Sequence, residues 1–311
     1  MRFPVTQFSR GFKTWPWTAL GTAALMFALS FPIPVQAMKT VSEKTLSTFK
    51  WPESVAYDAQ NTVLYVSEFV SGLKPTEKDG EGRISKVSLE GNVLEEHFLP
   101  APGVKINKPK GLWVAGNRLW TTDIDGVWVF DLKTKKGRKV MLPGVQFAND
   151  PTVVGETLFV SDNRGDQLFS VSPADFLEAK DEPKVTLVFT GKSVNPNGIY
   201  PAKDGSLLMV GFKSDKEARA IFSMAPGKEP KAISKDIGML DGVYELPNGD
   251  LLASDWVSGS LFSINAKGEM TTLAKNFKGP ADFAVYAISG GLMVVVPDLA
   301  KSEIRWVQLA N

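Results

Sequence analysis

The sequence predicts an all-β protein, a six-bladed β-propeller with four-stranded antiparallel blades whose ring closes by pairing the N- and C-terminal strands. Three observations carry that prediction. First, one short pattern recurs six times: a polar opener, an apolar stretch, a turn, a second apolar stretch and usually an acid. The openers are Glu53, Lys110, Asn149, Asn197, Asp241 and Asp282, in WPESVAYD, KPKGLWVA, FANDPTVV, NPNGIYPA, MLDGVYEL and PADFAVYA. They recur at roughly 40–57 residues, the period of propeller blades. Second, short β-branched and aromatic runs broken by Gly, Asn, Asp and Pro dominate the chain, which is the signature of strands and hairpins. Third, the last blade shows only three strands, ending at Glu303 to Leu309, while Val41 to Phe49 precedes the first blade without one of its own. Pairing these two segments completes the sixth blade and removes exposed edges.

Taken in order, residues 1–37 read as a signal peptide. Arg2, Arg10 and Lys13 form a basic start, Trp15 to Phe31 is an apolar run, and Val35-Gln36-Ala37 is a cleavage-type tripeptide. The alternative, an uncleaved anchor, needs a slightly longer run. An exported protein, periplasmic or secreted, is the expectation, with no membrane attachment after cleavage. Residues 38–311 then form a single propeller domain. Its blades read as roughly 53–99, 110–142, 149–189, 197–234, 241–274 and 282–309. Blade five shows the pattern best. Asp241-Gly-Val-Tyr-Glu-Leu is its first strand, Pro247-Asn-Gly-Asp a tight turn, and Leu251 to Asp255 its second strand. Gly259 to Asn265 and Met270 to Ala274 follow, with Ala266-Lys-Gly-Glu between them. Asn-Gly and Lys-Gly supply the positive-φ positions such hairpins need. Two polar loops depart from the repeat, Phe69 to Arg83 and Phe212 to Arg219. Both return to the face where the first strands begin. They can overhang it as a lid or stand as solvated surface loops.

Composition excludes several chemistries. There are 35 basic and 34 acidic residues, and losing the three basic residues of the leader leaves 32 against 34. Nothing there points to nucleic acid or to an anionic membrane. With no cysteine, thiol chemistry and thiolate metal sites are excluded. The one histidine, His97, lies in an outer-strand pattern, LEEHFL. A Ser-His-Asp triad or a His-rich zinc site therefore lacks its residues.

In a propeller each blade's first strand lines the channel, so the openers converge at one end of it. Five of them offer oxygen: Glu53, Asn149, Asn197, Asp241 and Asp282. An oxygen-only set suits Ca²⁺, then Mg²⁺ or Mn²⁺. Three carboxylates crowded in a channel repel, and a divalent cation relieves that repulsion. The competing reading is that Asn and Asp at strand starts are turn residues around channel water. A second set, Glu68, Asp123, Asp162, Asp255 and Asp298, ends the second strands, with Phe212 in the fourth blade's place. These read first as turn formers, and secondarily as an acidic mouth. Trp51, Phe147, Phe212 and Trp256 lie near the ring as core or pocket wall.

These residues resemble those of the regucalcin/gluconolactonase family of six-bladed propellers, close to the strictosidine-synthase-like group. The resemblance rests on Glu53, on the Asn-Asp of FAND at Asn149, and above all on NPNGIY at Asn197 and MLDGVY at Asp241. It implies that Glu53, Asn197 and Asp241 hold a catalytic divalent metal, with Asn149 joining the metal or substrate shell. The chain departs from the family at Ser54-Val55, where Gly-Pro usually follows the Glu, and at Phe147, where sugar-lactone hydrolases often carry Arg. A sugar substrate thereby loses a hydrogen-bonding partner. This looks like a divergent, exported branch.

Two functions fit. One is a metal-dependent hydrolase of a small lactone or ester. Asp241 would act as general base, Lys110 would steady the oxyanion, and Asp282, Phe147 and Trp256 would line the substrate or support the site. The other is a non-catalytic exported propeller that binds a ligand or a protein partner. The matched Glu-Asn-Asn-Asp set favours the first. The missing substrate Arg and the lone Lys110 favour the second.

Overall fold

The computed structural model describes residues 38–213 and 217–310. Residues 1–37, read above as a signal peptide, and the middle of the Phe212–Arg219 loop lie outside the described residues.

β1 (Lys39–Leu46) comes first. Blade one follows as β2 (Pro52–Asp58), β3 (Val63–Glu68), β4 (Arg83–Val87) and β5 (Val93–Leu99). Blade two is β6 (Pro109–Ala115), β7 (Arg118–Asp123), β8 (Gly126–Asp131) and β9 (Gly137–Met141). Blade three is β10 (Ala148–Val154), β11 (Thr157–Asp162), β12 (Gln167–Ser172) and β13 (Lys184–Thr190). Blade four is β14 (Pro196–Pro201), β15 (Leu207–Gly211), β16 (Ile221–Met224) and the short β17 (Lys231–Ala232). Blade five is β18 (Leu240–Glu245), β19 (Leu251–Asp255), β20 (Ser260–Ile264) and β21 (Met270–Ala274). Blade six is β22 (Ala284–Ile288), β23 (Gly291–Asp298) and β24 (Glu303–Ala310), completed by β1.

The result is six four-stranded antiparallel sheets, with no helix among the described residues. The closure read from the sequence is present. β1 pairs antiparallel with β24, from Lys39 opposite Ala310 to Leu46 opposite Ile304. His97 lies exposed on β5, the outer strand of blade one, so it is remote from channel chemistry.

The core is distributed between blades, because each sheet has two faces and each must be covered. Leu64, Val66 and Val87 of blade one pack on Val295, Ile304 and Trp306 of blade six. On the other face, Tyr65, Ile84 and Leu99 meet Leu119 and Phe130 of blade two. The remaining interfaces repeat this arrangement. Blade order therefore fixes which first strands are neighbours around the axis.

Each first strand begins with the same irregularity. Pro52 pairs with Glu68, Pro109 with Asp123, Ala148 with Asp162, Pro196 with Gly211 and Leu240 with Asp255. In each of these pairs the register then slips by one residue. Pro280 opposite Asp298 is the same bridge in blade six. A bulge places one extra residue on the strand and re-aims its side chain. The extra residues are the openers, so the bulges turn them toward the channel.

Counting from these bridges corrects one assignment. The position after the bridge holds Glu53, Lys110, Asn149, Asn197, Asp241 and, in blade six, Ala281. Asp282 sits one residue further on, in register with Ser54, Gly111, Asp150, Gly198 and Gly242. It belongs to a deeper layer. There Ser54 Oγ donates to Asp282 Oδ2 at 2.7 Å, and the Ile199 amide donates to Asp150 Oδ2 at 2.8 Å. The layer is narrow. A Cβ on Gly111 would lie 1.9 Å from Asp150 Oδ1, and one on Gly242 would meet the Phe283 ring.

Candidate functional site

The acids ending the second strands are buried turn formers that bind backbone amides, as they first read, and the secondary reading of them as an acidic mouth does not hold. Asp162 accepts the amides of Gln146 and Phe147 at 2.7 and 3.0 Å. Asp298 accepts those of Lys278 and Gly279, both at 2.9 Å. Asp123 does the same for Asn107 and Lys108, Asp255 for Met239, and Glu68 for Lys50. Each carboxylate thus ties down the backbone just before its own blade's opener. Blade four, with Phe212 in that place, uses another device. Asp166 accepts the amides of Val194 and Asn195 at 3.0 and 2.7 Å. Buried carboxylates persist when charge-assisted bonds replace water, and here those bonds fix the ring.

Above the ring lies a cavity of about 520 Å³. The openers Glu53, Lys110, Asn149, Asn197 and Asp241 line it, and Asp282 does not. The sixth position is apolar, with Ala281 packed against Phe69 and Leu299. Phe147, Phe212 and Trp256 line the cavity, whereas Trp51 does not and packs against that apolar group. Trp256 meets Phe212 edge-on at 5.6 Å.

The overhanging loop is part of the site, for Phe69, Leu73 and Pro75 line the cavity. Lys108, wholly buried, holds the loop in place. Its Nζ donates to the Phe69 carbonyl at 3.1 Å, to Ser71 Oγ and to Asp79 Oδ2. Sequence reasoning missed this lysine, because KPK gives no sign of where its side chain points. Burial alone would raise the Asp79 pKa. Hydrogen bonds from Lys108, Ser71 and the Glu81 amide outweigh that and hold it at about 2. This contribution is in place above the ordinary Asp pKa of about 3.9 and is lost as pH falls through about 2. Replacing Lys108→Met should cost about 3 kcal/mol, the low end for breaking a buried pair. It should also open the loop to trypsin at Lys78. Unchanged melting and unchanged cleavage would contradict the fastening role.

The ring itself is electrostatically frustrated. Burial raises Glu53 well above the usual carboxylate range, Asp241 and Asp282 push it further, and Lys110 only partly counters them. Burial and then Asp282 raise Asp241 to about 8, despite hydrogen bonds from Trp256 and Asn197. Burial, Asp282, Glu53 and Asp241 likewise raise Asp150 in the deeper layer, against a backbone bond from Ile199. Lys110, also buried, is pushed down to about 8 by desolvation. Partners are few. Trp256 Nε1 donates to Asp241 Oδ2 at 2.8 Å, and the Asn149 amide donates to Asn197 Oδ1. Glu53 Oε2 is buried with no hydrogen-bond partner. Lys110 Nζ makes one long bond, 3.4 Å to the Lys108 carbonyl, and lies 4.2 Å from the centre of the Phe147 ring.

Among the described residues, no three His, Cys, Asp or Glu side chains form a metal-binding group. The donors the ring offers are two carboxylates, Glu53 and Asp241, and two amide oxygens, Asn149 and Asn197. An oxygen-only set whose two carboxylates match the charge of a divalent ion suits a hard cation. The orphaned Glu53 oxygen and the raised Asp241 are the features such an ion would relieve.

Phe147 does not leave the cavity without a guanidinium. Arg164, in the β11–β12 turn, lays its Cζ 4.1 Å from the centre of that ring and lines the cavity. Nothing in a DNRG turn announces this, since the approach depends on the twist of blade three.

No protein-family model matches the chain, and neither does any curated protein. Solved structures do. A gluconolactonase from Xanthomonas campestris superposes with a TM-score of 0.61 at 13% identity, covering 87% of this chain and 91% of that one. A streptogramin B lyase gives 0.59 at 14% identity, covering 88% and 97%. A virginiamycin B lyase from Staphylococcus aureus, a catalytically inactive histidine-to-alanine variant with quinupristin, gives 0.56 at 13%, covering 88% and 99%. The six-bladed fold implied by the gluconolactonase resemblance is thus shared with a solved gluconolactonase.

Proposed function

We propose that this protein is a divalent-metal-dependent hydrolase of a small lactone or ester, exported to the periplasm or secreted. The observation that carries the reading is the buried pair Glu53 and Asp241, unneutralised by any ion pair among the described residues and set with Asn149 and Asn197 under a largely apolar cavity. These four residues would hold the cation, Ca²⁺ by preference, with Mg²⁺ or Mn²⁺ as substitutes. When bound, such an ion polarises an ester carbonyl and lowers the pKa of water.

The chain's own residues would do the rest. Asp241, with one oxygen held by Trp256, takes the proton of the attacking water. Lys110, unengaged by any carboxylate within ion-pair distance among the described residues, donates to the developing oxyanion. Phe69, Phe212 and Trp256 exclude bulk water and pack the apolar part of the substrate. Asp282 supports from below, through Ser54 and through its field on Asp241.

The histidine replaced in the inactive lyase variant has no counterpart in this cavity, because His97 stands on an outer strand. Acid–base work here falls to carboxylates and Lys110.

The test is metal-stripped protein titrated with Ca²⁺, Mg²⁺ and Mn²⁺, followed by a screen of aryl esters and γ- and δ-lactones with and without chelator. A rise in melting temperature with one ion and chelator-sensitive hydrolysis are expected. Indifference to all three ions, together with no hydrolysis, would leave the non-catalytic ligand- or protein-binding propeller as the reading.

A further inference from the structure

We infer that the cavity is built for a substrate bearing a carboxylate, which Arg164 holds at the Phe147 wall while the apolar remainder lies against Leu73, Phe212 and Trp256. The inference rests on the hydrolase reading and names its substrate class. Three observations carry it. Arg164 lines the cavity, is exposed, and has no hydrogen-bond or ion-pair partner among the described residues. Its guanidinium is stacked on an aromatic face, which removes rotamer freedom while leaving its in-plane donors open. Lys110, 1% exposed, brings a second cation to the same ring at 4.2 Å. Two cations at one ring make that side of the cavity its positive side, which favours an anion there. A planar carboxylate meets a guanidinium fork with two parallel bonds.

The rest of the cavity agrees. Its two carboxylates, Glu53 and Asp241, lie on the ring floor, so an anion is welcome only on the Phe147 side. That places the charged end and the hydrolysable end of one molecule at different points. Asn163 stands beside Arg164, buried and facing the cavity, with its Oδ1 unpartnered. It would pair with a hydroxyl or amide hydrogen next to the carboxylate.

The probes are 4-phenylbutyrate and its uncharged amide, 4-phenylbutyramide, titrated calorimetrically into wild type, Arg164→Gln and Arg164→Lys, in chelator and again in Ca²⁺. Wild type should bind the carboxylate at least about tenfold more tightly than the amide, with affinity falling as salt rises. Arg164→Gln should lose about tenfold on the carboxylate and little on the amide, and Arg164→Lys should lose less. Arg164 is exposed, so both variants should fold, and unchanged melting confirms it. Carboxylate binding that requires Ca²⁺ and ignores Arg164 would assign the anion to the cation and overturn the inference. Equal affinity for acid and amide would overturn it too. Hydrolysis is read separately on neutral esters. Arg164-dependent binding in a protein that hydrolyses nothing would keep the carboxylate site and remove only the hydrolase.

Discussion

Deleting residues 38–46 should destabilise the whole ring rather than fray one end. β1 is the outer strand of blade six, pairing with β24 along its length. Its side chains also bind neighbouring blades. Thr40 Oγ1 donates to the Leu273 carbonyl of blade five at 2.5 Å, and Lys44 Nζ donates to the Glu90 carbonyl of blade one at 2.7 Å. Leu46 packs into the cluster that joins blade six to blade one. A backbone hydrogen bond contributes about 1 kcal/mol net, so losing the ladder alone costs on the order of 5 kcal/mol. That is comparable to the whole stability of a typical domain. The truncation also bares β24 as an edge, an invitation to pair with another copy. Urea and thermal unfolding of chains starting at residues 38 and 47 would measure the effect. Superimposable transitions would show that the ring is closed by blade packing and not by the strand.

That closure was legible because it needs only counting: a sixth blade one strand short, and a spare strand at the other end. The ring was legible nearly as well. Asn197 and Asp241 announce themselves through the glycine that follows each, required because their neighbours leave no room for a Cβ. Blade six misled for a physical reason. Its true opener is Ala281, whose small apolar side chain packs with Phe69 and Leu299, while the adjacent Asp282 is the polar residue a pattern search finds. The strand-end acids are the turn formers they first read as, and only the secondary reading, an acidic mouth, fails. Whether such a carboxylate faces solvent or turns back onto its own blade's backbone depends on the surrounding loops, and here it turns back. Arg164, Lys108 and Leu73 were invisible for a related reason. Where each side chain ends up depends on how loops and blades pack around the cavity, and no local spacing encodes that.

Asp241→Asn and Lys110→Met should separate the two possible sources of positive charge at the ring. Asn keeps the size of Asp and an oxygen that can still accept from Trp256 Nε1, so the local packing survives. It removes a buried charge that burial and Asp282 already make unfavourable. Because the Asp241 pKa is raised to about 8, the apo stability tied to its protonation is intact below the ordinary Asp value of about 3.9 and is lost as pH rises through about 8. At pH 8 in chelator, Asp241→Asn should therefore melt no lower than wild type. Adding Ca²⁺ should reverse the order. The wild type gains from binding, while the variant, short of one negative charge, binds about a hundredfold more weakly and loses hydrolysis to a similar degree. Lys110→Met addresses the other source. Were Lys110 the cation that neutralises Glu53 and Asp241, removing it would cost about 3–5 kcal/mol, as for any broken buried pair. Its geometry argues for less. Nζ has no carboxylate within ion-pair distance among the described residues, faces the Phe147 ring, and is itself pushed down to about 8 by desolvation. A methionine of similar length fills the same space without that desolvation penalty. The variant should fold, bind Ca²⁺ at least as tightly as wild type because a competing positive charge is gone, and lose turnover through the missing oxyanion donor. A wild type blind to every divalent ion, beside a Lys110→Met protein that fails to fold, would make Lys110 the ring's permanent counter-ion and end the metalloenzyme reading.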